Sequence, residues 1–280
     1  MKIMVTGAAG GYGHYAVDYV KKFAPEADVY GLIHNPSKAA ALEAKGIHAV
    51  VADYTDYDAM IKALTGIDRL LFVSVPVFDT QKVVVKAAKD AGVKFIAYTG
   101  IADPQYQKFG LEVNHRQTEA LIRETGIAHT FLRDNWYLEL IQDQLMASAN
   151  NGRFSYYADG KISFALKREY AEAGAKVITG EGYPEVVTLA GNPVTFAEIG
   201  EALKAAAGKN IEIAQVGRNT FSVEVANSDM SQMGIMLSQS YQDYTANGNN
   251  GEENLTSKDF EMVLGHALVP LADAIKELIG

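Results

Sequence analysis

The stretch Ile3-Met4-Val5-Thr6-Gly7-Ala8-Ala9-Gly10-Gly11-Tyr12-Gly13-His14 decides how the chain is read. An apolar run opens at the third residue and stops at a glycine-rich turn. Beyond the turn, Val17, Val20 and Phe23 recur at helical spacing. Gly7, Gly10 and Gly13 form G-x-x-G-x-x-G, a variant of the dinucleotide fingerprint, after a strand and at the opening of a helix, where that motif has to lie. Gly7 makes the tight turn, Gly10 keeps a Cβ from holding a pyrophosphate off the backbone, and Gly13 lets helix and strand pack closely. The helix N-terminus then offers N–H groups and partial positive charge to phosphate.

Working outward, apolar runs at 29–33, 48–52, 69–75, 94–99 and 128–133 alternate with helical patterns at 39–45, 57–64, 80–91 and 111–124. That alternation predicts an α/β fold with a doubly wound parallel sheet, the NAD(P)-binding Rossmann arrangement. Ligands of such sheets sit outside the carboxyl ends of the strands, which here carry Gly7, His34, Asp53, Ser74 and Thr99. Further on come a turn-rich crossing at 150–162, a helix at 167–179 and a strand at 186–189. The capping box Thr195-Phe196-Ala197-Glu198 opens a helix that Gly208 stops, and a short strand follows at 211–216. Helices containing methionine and tyrosine, a loose Asn247-Gly248-Asn249-Asn250-Gly251 segment and a helix at 271–279 close the chain. We therefore expect a dinucleotide-binding domain over 1–191, with 136–165 partly lining a substrate cleft, and a smaller α/β lobe over 192–280. Met230, Met233, Met236 and Leu237 share a helical spacing and read as core sooner than as a substrate wall.

A formal charge of −9 argues against nucleic acid or an anionic membrane as partner, since both reward a basic face. Without cysteine there is neither a disulfide frame nor thiol chemistry, which suits a reducing cytosol. Met1 leads straight into the first strand and no apolar run reaches membrane-spanning length, so a soluble cytoplasmic protein is expected. The six histidines are scattered and no carboxylate cluster accompanies them, which leaves metal ligation without support.

The segment after the second strand, Ile33-His34-Asn35-Pro36-Ser37-Lys38, holds no carboxylate for a ribose hydroxyl and two side chains that can be cationic. Lys38 can pair with a 2′-phosphate, and His34 can stack on adenine or donate to that phosphate, so NADP(H) is the expected cofactor. Asp53 and Tyr54 would lie under the adenine, unless Asp53 is simply a turn or cap aspartate. Arg133-Asp134-Asn135-Trp136-Tyr137 carries the single tryptophan at a strand end. Trp136 either walls the nicotinamide or an aromatic substrate, or packs in the core; Tyr137 keeps a polar tip that packing alone does not explain.

Several segments together resemble the NmrA-like branch of the atypical short-chain dehydrogenases, near its NADPH-dependent quinone oxidoreductases and triphenylmethane reductase. They are Val5-Thr6-Gly7-Ala8-Ala9-Gly10, Ala87-Ala88-Lys89-Asp90-Ala91-Gly92-Val93-Lys94, Ile96-Ala97-Tyr98-Thr99-Gly100, His115 with Thr118-Glu119, Thr130-Phe131-Leu132-Arg133, Asn135-Trp136-Tyr137 and Asp159-Gly160-Lys161-Ile162. The resemblance implies cofactor contacts at Thr6, Gly7, Ala9, Gly10, Gly11 and Tyr12, and after strand two at His34, Asn35 and Lys38, with Asp53 and Tyr54 beside them. It implies others at Ser74, Val75 and Pro76 and around Asn135, Trp136, Tyr137 and Leu138; Val73, Thr99 and Gly100 are expected contacts from their place at the ends of strands four and five. Relatives usually carry arginine at the position of His34 and a small residue at that of Val75, and the loop after Pro76 is short here.

Ordinary short-chain dehydrogenases use a Tyr-x-x-x-Lys pair on the helix after strand five. That helix offers Asn114, His115 and Glu119 instead; the pair Tyr157 and Lys161 spans Asp159-Gly160, a turn, and is a coincidence of spacing. Ketone reduction makes an alkoxide and rewards a positioned proton donor. A quinone or a cationic triarylmethane dye is electrophilic enough to take hydride without one, so a small aromatic acceptor of that kind is the expected substrate. His115 can donate to a quinone oxygen with Glu119 orienting its ring from four residues on, or the two are simply a structural pair on one helix face; Tyr137 is the second candidate for contact with the acceptor. A non-catalytic redox sensor that binds the dinucleotide without turnover is the alternative from another class, and a homodimer remains open as the assembly. A nucleotide-sugar epimerase would need the missing pair.

Overall fold

The structure is a computed structural model and describes residues 1–280. In chain order its first half runs β1 (Lys2–Val5), α1 (Gly13–Phe23), β2 (Asp28–Ile33), α2 (Ala39–Glu43), β3 (His48–Val51), α3 (Tyr57–Leu64), β4 (Arg69–Phe72), α4 (Phe78–Asp90), β5 (Phe95–Ile101), α5 (Leu111–Thr125) and β6 (Ala128–Asp134). Then follow β7 (Trp136–Tyr137), α6 (Gln142–Asn151), β8 (Arg153–Tyr156), β9 (Lys161–Ile162), β10 (Phe164–Ala165), α7 (Lys167–Thr179) and β11 (Val186–Leu189). The remainder is β12 (Val194–Thr195), α8 (Phe196–Ala207), β13 (Glu212–Gln215), α9 (Arg218–Ala226), α10 (Gln232–Ala246), α11 (Lys258–Leu264) and α12 (Leu271–Ile279). No helix is long and apolar enough to cross a membrane.

The chain divides into two compact units. The first comprises Met1–Asp134, Arg168–Leu189 and Asp259–His266; the second comprises Asn135–Lys167, Ala190–Lys258 and Ala267–Gly280. A division into two contiguous blocks at 191/192 was expected. Instead, the chain leaves the sheet at the end of β6, makes part of the second unit, and returns as α7 and β11. Such a return carries no mark in local sequence, because it depends on which strand pairs with β6.

The first unit is a seven-stranded sheet in the order β11-β6-β5-β4-β1-β2-β3. Every pairing is parallel, with Ile3 opposite both Val29 and Arg69 across the central strand. Strands covered on both faces read as unbroken apolar runs, and Ile3, Met4 and Val5 are accordingly fully buried. On one face Met4, Leu32, Phe72, Val84, Ile96, Tyr98, Ile122 and Phe131 form a continuous core. The strand expected over 69–75 ends at Phe72. Val73 N–H donates to Thr6 Oγ1 at 2.8 Å and Ser74 N–H to Thr99 Oγ1 at 2.9 Å, so side-chain hydroxyls take the bonds a longer strand would have used.

The second unit is built from two-stranded pieces: parallel pairs β10-β7 and β13-β8, and an antiparallel pair β12-β9. Its α8 opens on the expected capping box, with Glu198 N–H donating to Thr195 Oγ1 and Thr195 N–H donating to Glu198 Oε2. The methionine stripe is a correction. Met233 and Met236 are 60% and 51% exposed, and α10 buries Gly234, Ser238, Tyr241, Gln242, Tyr244 and Thr245 instead. Its inward face is tyrosine and small polar groups, a composition that hydrophobic periodicity does not detect.

Candidate functional site

Because the sheet of the first unit is parallel, β1 to β5 all end on one edge, and most of the expected cofactor residues lie at those ends. Gly7 turns the chain out of β1 in the left-handed region, at φ +60°. A Cβ on Gly13 would stand 2.1 Å from the Gly7 carbonyl oxygen, so only glycine allows α1 to sit this close to the turn. Ala9, Gly10 and Gly11 form the exposed tip between them. No side chain caps the N-terminus of α1, which leaves that end to a ligand. These features fit a pyrophosphate held on bare backbone.

The turn is braced from below. Tyr54 hydrogen-bonds to the Thr6 side chain and the Gly7 backbone, and burial pushes its hydroxyl up to about 12. Thr6, fully buried, also donates to the Val73 carbonyl at 3.3 Å. Tyr12 turns inward, its hydroxyl donating to the Tyr170 carbonyl at 3.0 Å. The ring fits because α7 carries Gly174 there; a Cβ at that position would lie 2.3 Å from the Tyr12 oxygen. Any contact of Tyr12 with a ligand therefore falls to its backbone. Gly174, a glycine inside a helix, is the signal that sequence reading passed over.

After β2, Asn35 caps a 3-10 turn, accepting from Ser37 N–H at 3.0 Å, and Lys38 ends that turn on the surface. The His34 ring is 81% exposed, 3.7 Å from an Asp53 oxygen. Asp53 accepts from both the N–H and the hydroxyl of Thr55, and the backbone bond first, then the hydroxyl, hold its carboxyl below the usual range. Asp53 is thus a turn aspartate, one of the two roles open to it. At the ends of β4 and β5, Thr99 Oγ1 donates to Ser74 Oγ at 3.1 Å, Val75 is half-buried, and Pro76, exposed, accepts from Asn114 Nδ2 at 3.0 Å. Gly100 lies within β5, and a Cβ on it would stand 3.3 Å from Glu119 Oε1, so it makes room for an ion pair described next.

His115 does not sit as its spacing suggested. Glu119 does not orient it: Arg133 takes that carboxylate with two bonds at 2.9 and 2.7 Å, and Arg123 approaches at 3.7 Å. His115 Nδ1 instead lies 2.8 Å from the hydroxyl of fully buried Tyr98, which donates to Gln81 Oε1 at 2.8 Å. With its single proton given to Gln81, Tyr98 receives the His115 Nδ1–H. Burial pulls the imidazole down to about 4, with Glu112 opposing more weakly, so the ring is neutral near pH 7. Tyr157, from the coincidental Tyr-x-x-x-Lys spacing, is engaged elsewhere. Tyr157 donates to Asp243 at 2.5 Å, and Arg218 holds the same carboxylate at 2.8 and 2.7 Å.

In the second unit, Asn135, Trp136, Tyr137 and Leu138 run from an extended segment into a 3-10 turn. Trp136 is 5% exposed and meets Tyr241 and Tyr244 edge-to-face, at 5.4 and 5.5 Å, so its ring is core rather than wall. Leu138 is buried too. Tyr137 stays half-exposed, with Lys167 Nζ 5.4 Å from its ring centre. Sequence reading missed Glu252, whose carboxylate accepts from Trp136 Nε1 at 3.0 Å and from Asn135 Nδ2 at 2.9 Å. No three His, Asp or Glu side chains converge to hold a metal ion.

Comparison with known proteins agrees with this geometry. The profile of the NmrA-like family matches residues 1–262. Quinone oxidoreductase 2 of Escherichia coli is 32% identical over 285 residues, spanning 99% of each chain. Among solved structures, the NADPH-dependent quinone oxidoreductase of Escherichia coli complexed with NADPH matches with a TM-score of 0.86 at 32% identity, over 99% of this chain and 100% of that one. The Citrobacter sp. triphenylmethane reductase complexed with NADP(H) matches with a TM-score of 0.87 at 30% identity, over the same shares.

Proposed function

The chain belongs to the NmrA-like family, and on that premise we propose that it is an NADPH-dependent reductase passing hydride directly to quinones or similarly electrophilic aromatic acceptors. When bound, NADPH supplies the hydride from C4 of its nicotinamide. The protein's part is placement. The Gly7–Gly13 turn and the uncapped start of α1 receive the pyrophosphate, and His34 and Lys38 lie exposed after β2 for the 2′-phosphate. Ser74 and Thr99 carry hydroxyls at adjacent strand ends, and Tyr137, half-exposed with Lys167 Nζ 5.4 Å from its ring centre, is the residue we assign to contact with the acceptor.

One observation carries the choice of acceptor. The helix after strand five presents Asn114 and a neutral His115 bonded to Tyr98, where a ketone reductase of the short-chain type needs an acidic tyrosine with its lysine. An acceptor that needs no proton during hydride transfer suits that helix: a reduced quinone leaves as a stabilised phenolate that water protonates, and a reduced cationic dye is neutral. What remains for catalysis is orientation and exclusion of water.

Stopped-flow oxidation of NADPH by 1,4-benzoquinone and by a cationic triarylmethane dye tests the proposal. Multiple turnovers are expected with both, and at most a trace rate with simple aliphatic ketones. Tight NADPH binding with no turnover of either acceptor would overturn it in favour of a sensor.

A further inference from the structure

The segment from Asn247 to Asn254 looks like slack in the sequence, yet it delivers a fully buried carboxylate to the second unit. Asn249, Gly248 and Gly251 all take left-handed backbone, at φ +48°, +61° and +80°. Asn250, itself buried, accepts the Glu252 N–H on its Oδ1 at 3.1 Å and donates from Nδ2 to the Tyr244 carbonyl at 3.1 Å. Glycine and asparagine are required here by conformation, and the result is a tight fold that carries Glu252 inward with none of its surface exposed.

The Glu252 carboxylate meets four donors. Oε1 accepts from Trp136 Nε1 at 3.0 Å and from the Tyr244 hydroxyl at 2.7 Å. Oε2 accepts from Asn135 Nδ2 and from Ser163 N–H, both at 2.9 Å. Asn135 Nδ2 reaches the Ser163 carbonyl as well, at 2.7 Å, and Ser163 Oγ donates to the Gly191 carbonyl at 2.7 Å. Burying a carboxylate is costly unless its lone pairs are filled, and a packed aliphatic side chain would hold these strands together with less penalty. What the carboxylate adds is direction. Four fixed donors leave Asn135 and Trp136 one arrangement of side chain and backbone, and the next residue is Tyr137.

We propose that Glu252 is a positioning residue that acts through Asn135 and Trp136 to fix Tyr137 for its contact with the acceptor. This rests on the proposed function, in which Tyr137 contacts the acceptor. Glu252→Gln tests it, since the amide keeps the size but turns an N–H group toward donors. Three measurements on purified full-length protein separate the roles. Energy transfer from Trp136, the single tryptophan, to bound dihydronicotinamide reports the arrangement of that segment without any turnover. The kcat and KM for 1,4-benzoquinone report the acceptor end. Affinity for adenosine 2′,5′-bisphosphate reports the phosphate end.

In E252Q the transfer efficiency is expected to change and kcat/KM for benzoquinone to fall about tenfold or more, with affinity for the bisphosphate unaltered. Tyr244→Phe, which removes one donor and keeps the ring, is expected to move the same two readouts by roughly two- to threefold, and it decides the matter should E252Q not fold. A folded E252Q with wild-type energy transfer and wild-type kcat/KM overturns the proposal, and so does Y244F unchanged in both if E252Q is insoluble. If the wild type reduces no quinone or dye, the reductase reading fails by itself, and the positioning role then stands or falls on energy transfer alone.

Discussion

His115 shows how burial, more than neighbouring charge, sets what a residue can do. Its spacing to Glu119 resembles a catalytic pair, but the guanidinium of Arg133 competes better for that carboxylate, and the imidazole is left neutral beside Tyr98. The consequence is a pH dependence of stability with a definite sign. An unfolded histidine titrates near 6.5, whereas the folded ring, kept uncharged by burial, does so near 4. Below 6.5 the unfolded chain therefore binds more protons at this residue. Stability held in full above pH 6.5 is lost as pH falls to about 4, by an amount on the order of 3 kcal/mol. In His115→Gln, the decline of the unfolding free energy between those pH values should be shallower than in the wild type by that order, measured by denaturant titration at each pH. A parallel decline in both proteins would show that the ring does not titrate this way.

At the scale of the element, the turn from β1 into α1 was legible because one atom decides it. Where a Cβ on Gly13 would lie 2.1 Å from a backbone oxygen, neither partner can yield without breaking the turn, so the glycine spacing is forced. Gly13→Ala should cost about 1–3 kcal/mol in thermal unfolding and abolish measurable NADPH binding. Gly92→Ala is the control: at φ +78° with nothing within 4 Å of the new Cβ, it should cost about 1 kcal/mol of strain and leave binding alone. Other elements were less legible. The end of β4 depends on Thr6 and Thr99 reaching across from neighbouring strands. The Asn/Gly segment at 247–251 reads as slack because the same residues serve flexible loops and left-handed turns alike, and only the buried Asn250 and Glu252 tell them apart.

For the whole molecule, a ligand that binds only the folded chain must stabilise it. NADPH at a hundred times its dissociation constant is expected to raise the unfolding free energy by about 2.7 kcal/mol, visible as a thermal shift that exceeds the shift with NADH at the same concentration. The His34→Ala/Lys38→Ala double variant should bring the two shifts together by weakening NADPH more than NADH; equal losses for both cofactors would refute the role given to that exposed turn. With a net charge of −9 the chain as a whole does not attract phosphate, so the preference for NADPH is expected to be local to that turn. The sequence by itself determined the parallel α/β sheet, the glycine turn and the capping box of α8, the first through apolar runs alternating with helical patterns along the chain, the other two through residues within a turn or two of one another, where spacing maps directly onto geometry. Only the tertiary structure decided the discontinuous units, the inward tyrosine face of α10, the partner of His115 and the place of Glu252. In each of these, side chains far apart in the chain compete for the same hydrogen bond or the same buried volume, and the winner is settled by desolvation, which no local pattern records.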